Sequence, residues 1–158
     1  MANTQAMCTS FMGELMTATH NFGASPTRAG ATADTFKAAL YLASATINAS
    51  TTAYSATGEV SGTNYTAGGV TVTNATAPTA TNSSSTAGVA YWTPSASITY
   101  TTVTLATAFD TVLIYNSTQS NKAVSVHTFG SQTITAGTFT LTMPTNNTST
   151  GLLRLATT

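Results

Sequence analysis

The apolar positions of this chain change period once. Between residues 5 and 19, Met7, Phe11 and Leu15 fall four apart, as do Cys8, Met12 and Met16. That spacing predicts an amphipathic helix with a wide apolar stripe, and Asn3 or Thr4 is placed to cap it. Such a helix either packs on its own domain or reaches a neighbouring subunit as an arm, a use that an adaptable methionine-rich face favours. Residues 23 to 35, GASPTRAGATADT, read as a loop. From residue 36 onward the period is two. FKAALYL (36–42) opens a series of strands, and Val70 and Val72 then alternate with Thr71 and Thr73. Between them, Gly58, Gly62, Gly68 and Gly69 punctuate short segments.

Further strands are expected at 90–92, at 98–105, on both sides of a polar bridge in TAFDTVLIYNSTQSNKAVSVHTFG (107–130), at 133–143 before Pro144, and at 152–155. The polar segment TATNSSSTAG (79–88) reads as a surface loop. About eight strands at this spacing suit an antiparallel sandwich or barrel. Crossover helices are missing after residue 35, which argues against a parallel α/β sheet. The expected fold is therefore all-β: an antiparallel β-sandwich or jelly-roll-like domain with a short N-terminal helix. Residues 1–22 form the helix or arm, and residues 36–158 form a single sandwich domain. On this division, deleting residues 1 to 16 should leave a folded β-domain.

Composition sharpens this picture. Charged residues are 5% of 158 and the formal net charge is zero, where a soluble domain usually carries about a quarter. The whole inventory is Glu14, Arg28, Asp34, Lys37, Glu59, Asp110, Lys122 and Arg154. Two Lys and two Arg build no phosphate-tracking surface, so no nucleic-acid partner is expected. Thr makes up about a quarter of the residues, well above average usage. It suits pleated strands and keeps a neutral surface wettable. Without like-charge repulsion such a surface associates readily, as befits a subunit that works inside an assembly. The N-terminus lacks a charged leader before an apolar block, and no run is long enough to span a membrane. Synthesis in a reducing cytosol, with no membrane partner, is the expectation.

Little of the chain suggests chemistry. His20 and His127 lie far apart, and with Cys8 they fall short of a zinc ligand set. Cys8 lies on the apolar stripe and reads as an inert buried thiol. No serine sits in a GxSxG setting, and GTNYTAGG lacks the lysine of a phosphate loop. Tyr91 and Trp92, or Tyr54 and Tyr65, are candidates for an exposed sugar-stacking platform, although sheet aromatics are more often core pairs. The expectation is a non-enzymatic protein without a catalytic, metal or cofactor site.

Several stretches do form a recognisable set: FKAALYLASATI, TTAYSATGEVSGTNYTAGGVTVTN, VLIYNSTQSNKAVSVHTFG, GTFTLTMPT and LLRLA. Together they resemble a family of small virion structural proteins of tailed bacteriophages. The family pattern is close to ALY-x-S, a GEVSGTGYTAGG block, an ALIYNST-x-x-NKAV hairpin and an FT-x-x-(M/F)PT ending. Asn64 stands where the family often has Gly, and Asn tolerates the left-handed conformation better than most residues. The resemblance implies a particle component, located in the virion after synthesis in the host cytoplasm.

Physical logic ranks a capsid decoration or cement protein first. Its partners would be the major capsid protein or other virion proteins, and it would form a homo-oligomer, trimer or dimer. A neck, tail or fibre-attachment component and a surface glycan-binding module are the alternatives. The candidate subunit contacts are Met7, Phe11, Met12 and Leu15, with the 79–88 loop as a second contact region. The candidate surface aromatics are Tyr91 and Trp92.

Overall fold

The computed structural model of the chain describes residues 2–22, 32–73, 77–81 and 88–156. In chain order the elements are β1 (Ala6–Met7), α1 (Thr9–Met16), β2 (Phe36–Leu42), β3 (Val70–Val72), β4 (Thr79–Ala80), β5 (Val89–Trp92), β6 (Ile98–Asn116), β7 (Lys122–Leu141) and β8 (Leu153–Ala156). They form two antiparallel sheets, ordered β1-β7-β6-β2-β3 and β4-β5-β8. The domain is all-β and sandwich-like, as the period-two pattern predicts.

The long hairpin β6–β7 is the spine. Its turn places Ser120 and Asn121 at φ 52° and 58°, with the Lys122 amide donating to the Gln119 carbonyl at 3.1 Å. Two left-handed central residues match the twist of the flanking strands. β2 docks on β6 from Phe36↔Asn116 to Leu42↔Phe109. Its run from Ala38 to Tyr41 is fully buried, which explains why FKAALYL reads as a continuous apolar run and not as an alternating one.

The strands predicted separately at 98–105 and within 107–116 are one strand, and so are those at 122–129 and 133–141. Bulges absorb the breaks in alternation between them. Tyr100 faces Phe139 while Val103 faces Gly137, and positive φ at Thr102 and Ala136 marks the irregular points. Conversely, the short strands expected between 51 and 69 reduce to isolated bridges, Tyr41↔Glu59, Ala53↔Lys122 and Thr63↔Thr104.

Glu59 organises that segment in place of a ladder. Its carboxylate accepts from the Tyr54 hydroxyl (2.6 Å), the Tyr65 hydroxyl (2.7 Å) and the Gly68 amide (2.8 Å). Gly69 is required where it stands: its φ is +70°, and a Cβ there would lie 1.7 Å from the Ala38 carbonyl oxygen. Asn64 sits at φ 61° and donates to the Thr102 carbonyl at 2.9 Å, the left-handed role expected of it.

The N-terminal segment differs from its sequence reading. The helix begins at Thr9, and Met7 belongs to β1, paired with β7 through Ala6↔Val126 and Met7↔Ser125. Asn3 is no helix cap: its amide donates to Asp110 (2.7 Å) and Leu42 (3.1 Å) and accepts from Ile47 (2.9 Å). Cys8 and Phe11 are 0% and 2% exposed, within the same core as β2 and β6. Residues 2–22 are therefore stitched into the sheet and do not hang from it as a free arm. In the segment read as the 79–88 surface loop, Thr79 and Ala80 form β4 against β5; residues 82–87 lie outside the described residues, as do 23–31 of the first loop.

This packing reverses the expected result of truncation. Removing residues 1–16 strips a strand from β7 and two side chains from the core, so the shortened chain should lose cooperative unfolding. The milder variant Phe11→Ala should cost about 3–5 kcal/mol, measured as a lower urea midpoint at an unchanged slope.

Candidate functional site: an apolar cleft and its polar flank

Five of the six residues singled out in the sequence converge. Met7, Phe11 and Leu15 come from β1 and α1; Tyr91 and Trp92 come from β5. Together with Leu153 of β8 they line a cleft of about 80 Å³ between the helix and the three-stranded sheet. The i, i+4 stripe sets one wall. Cross-strand register sets the other, since Trp92 faces Leu153 and Tyr91 faces Arg154. Met12 lies outside this cleft and is 46% exposed. Phe22 and Leu155 also line it; the Leu153–Leu155 alternation was the available signal for the second, and nothing local marked the first.

Trp92 is not a surface aromatic. It is 2% exposed, with its ring centroid 4.8 Å from Phe22 and 6.1 Å from Phe36. The indole joins the two sheets, and this edge-on aromatic packing removes it from any stacking platform. Tyr91 is only partly buried. Tyr54 and Tyr65, the other candidate pair, are occupied as well: Tyr54 stacks on Tyr115 at 4.8 Å and Tyr65 on Tyr100 at 6.0 Å. Burial first, then the hydrogen bond to Glu59 and its charge, push the hydroxyl pKa values of Tyr54 and Tyr65 upward, and at Tyr65 the hydrogen bond from the Leu40 amide opposes them in part.

Behind the cleft lies a polar cluster that no motif announced. Lys122 Nζ meets Glu14 Oε1 at 2.6 Å, and Glu14 Oε2 meets His20 Nε2 at 2.7 Å. Asn116 Nδ2 donates to His20 Nδ1 (3.0 Å) and to Asp34 Oδ2 (2.7 Å). The orientation of Asn116 follows from its other end, because Oδ1 accepts from the Thr118 and Gln119 amides. Its Nδ2 can only donate, so His20 Nδ1 accepts and the ring proton sits on Nε2, facing Glu14. Burial by itself would raise the Glu14 pKa, but the hydrogen bonds from Lys122 and His20 outweigh it and hold the carboxyl below its ordinary value.

The arrangement is closed on itself. The His20 side chain is 0% exposed and sits between Phe11 (4.9 Å) and Phe36 (6.3 Å). It bonds the helix to the hairpin turn and presents no group to a ligand. Ser125 Oγ and His127 Nε2 are 2.9 Å apart, yet Ser125 is 1% exposed and no attacking hydroxyl faces solvent. Burial lowers the His127 pKa to about 4 and, with a smaller effect of Glu14, raises that of the Cys8 thiol to about 11. A thiol at that value is not a nucleophile at neutral pH.

Among the described residues, no group of three or more His, Cys, Asp or Glu is placed to hold a metal ion. Nor is any described helix long and apolar enough to cross a membrane. No protein-family model, curated protein or solved structure matches the chain.

Two pH effects follow, in separable windows. Glu14 has a depressed folded pKa, so its contribution is complete above 4.5 and is lost as the pH falls further. Glu14→Gln can serve Lys122 or His20 but not both, and should cost about 1–3 kcal/mol at pH 7. The gap to wild type should close at the acid end of a pH series of urea melts. His127 has a depressed base pKa, so unfolding takes up a proton between pH 6.5 and about 4. Stability should rise through that window and level off above it. His127→Gln should flatten this slope and leave the lower window intact.

Proposed function

We propose that this protein is a non-enzymatic structural subunit of a tailed-phage particle, most specifically a decoration or cement protein that binds the assembled head. The observation that carries this reading is where the charges lie. Glu14 and Lys122 pair with each other, Asp34 accepts from Asn21, Asn116 and Gln119, Glu59 is held by two tyrosines, and Asp110 by Asn3 and Thr111. The four carboxylates of the chain serve as internal clamps. Among the described residues, what faces outward is largely Thr, with Ala and Ser, a neutral surface that meets its partners by shape and hydrogen bonding and is not steered by electrostatic fields.

The sequence motifs supply the particle context. VLIYNSTQSNKAV builds the spine hairpin and GEVSGTNYTAGG builds the Glu59-centred segment. These motifs specify architecture, with backbone-constrained positions such as Gly69 and Asn64, and no reacting group sits among them. The major capsid protein or another virion protein is the expected partner. Nucleic acid and membrane are not. A neck or tail position remains the second reading, since the same neutral domain suits a ring. The buried Trp92 counts against a glycan-binding role.

Copy number tests the assignment. Mass-spectrometric stoichiometry of purified particles should give on the order of hundreds of copies for a head-decorating subunit and about a dozen for a neck or tail ring. Absence of the polypeptide from finished particles overturns the proposal.

A further inference from the structure

The edges of the two sheets are treated unequally. β3, β4 and β8 have three, two and four residues, and β8 carries Arg154. Short or charged edge strands are how folded proteins avoid pairing with other chains. β7 breaks that rule. Among the described residues β1 covers it only at Ser125 and Val126, so the strand from Thr128 to Leu141 has β6 on one side and no registered strand on the other. The far edge of β6 is guarded over the same stretch: the Thr104 amide bonds the Thr63 carbonyl at 3.1 Å, and Asn64 reaches the Thr102 carbonyl.

The composition of this open edge says what fits it. Residues 128–141, TFGSQTITAGTFTL, contain no charge and no proline, and the charge-free run extends from 123 to 153. Thr128, Thr133, Thr135, Thr138 and Thr140 are exposed. The Gly130 carbonyl already accepts from Gln132 Nε2 at 3.1 Å; the rest of an open edge offers backbone donors and acceptors that recognise an extended strand. Opposed Thr side chains pair favourably, whereas like charges would repel. The bulges near Ala136 and between Thr128 and Gln132 bend the strand, so a straight occupant follows it poorly. A second β7 carries the same bend. Rotation about a twofold normal to the sheet preserves both twist and out-of-plane curvature, and it runs the two strands antiparallel.

From this unguarded, uncharged and self-compatible edge we infer that β7 pairs antiparallel with β7 of a second copy, joining two five-stranded sheets across a twofold near Ile134 and Thr135. The interface is isologous and involves neither the apolar cleft nor the polar cluster. It stands apart from the particle assignment: a dimer absent from virions would sink only the proposed function, and a monomer found in virions would sink only this inference.

Sedimentation of the full-length chain and of two variants tests it. Wild type should sediment as a dimer. Thr133→Lys combined with Thr135→Lys gathers four ammonium groups at the twofold and should weaken the dimer by ~100-fold or more, with an unchanged far-UV circular dichroism spectrum because both side chains are exposed. Thr135→Cys should give a disulfide-linked dimer under mild oxidation, since the native Cys8 is buried, whereas a cysteine at exposed Thr57 should not. A monomeric wild type overturns the inference. So does a dimer that survives the lysines, or one that fails to cross-link through position 135.

Discussion

The antiparallel ladder between β6 and β7 runs from Ile98↔Leu141 to Asn116↔Lys122, and the rest of the large sheet attaches to it. β2 adds to one side through Ala38↔Ile114 and Leu40↔Val112, and β1 adds to the other. The helix is held to the turn end by the Lys122–Glu14 pair, whose members are 108 residues apart in the chain. Pairing so distant in sequence carries a large loop-closure cost. The apolar run VLIY (112–115) and the valines and alanine of AVSV (123–126), buried on both faces, offset it.

Low charge and structural clamping are two sides of one economy. A buried carboxylate is costly unless several donors satisfy it. Buried Asp34 accepts from Asn21, Asn116 and Gln119, and part-buried Glu59 accepts from Tyr54, Tyr65 and Gly68. Each carboxylate thereby ties irregular chain to the sheet: Glu59 the glycine-rich stretch, Asp34 the approach to β2. With its carboxylates engaged inside the fold, the chain leaves hydroxyls and amides to meet water and partners. An interaction surface of this kind gains little from electrostatic steering and depends on complementarity of shape.

The polar cluster around His20 shows how chemistry-bearing residue types can serve architecture alone. A histidine between two carboxylate-bearing segments resembles catalytic equipment. Its ring, however, is enclosed by Phe11 and Phe36, and both nitrogens are spoken for. The His20 side chain is 0% exposed and both its nitrogens bond within the fold, which leaves Lys122, 38% exposed, as the face this network shows to solvent.

Period-two alternation in VTVT (70–73) and TFTL (138–141), and period-four spacing across Met7, Phe11 and Leu15, suffice to foresee strands, a helix and the all-β class, because local periodicity records which face is buried. One wall of the apolar cleft was legible for the same reason. The opposite wall was not: Tyr91 and Trp92 are adjacent in sequence, yet one is partly buried and the other fully so, and only the packing of Phe22 and Phe36 distinguishes them. The merging of four expected strands into two, the redirection of Asn3 from helix cap to sheet tie, and the Glu14–His20–Asn116 network were likewise invisible in the chain. Each depends on partners many residues away, and a short stretch of sequence holds no information about what a distant stretch will bring to its side.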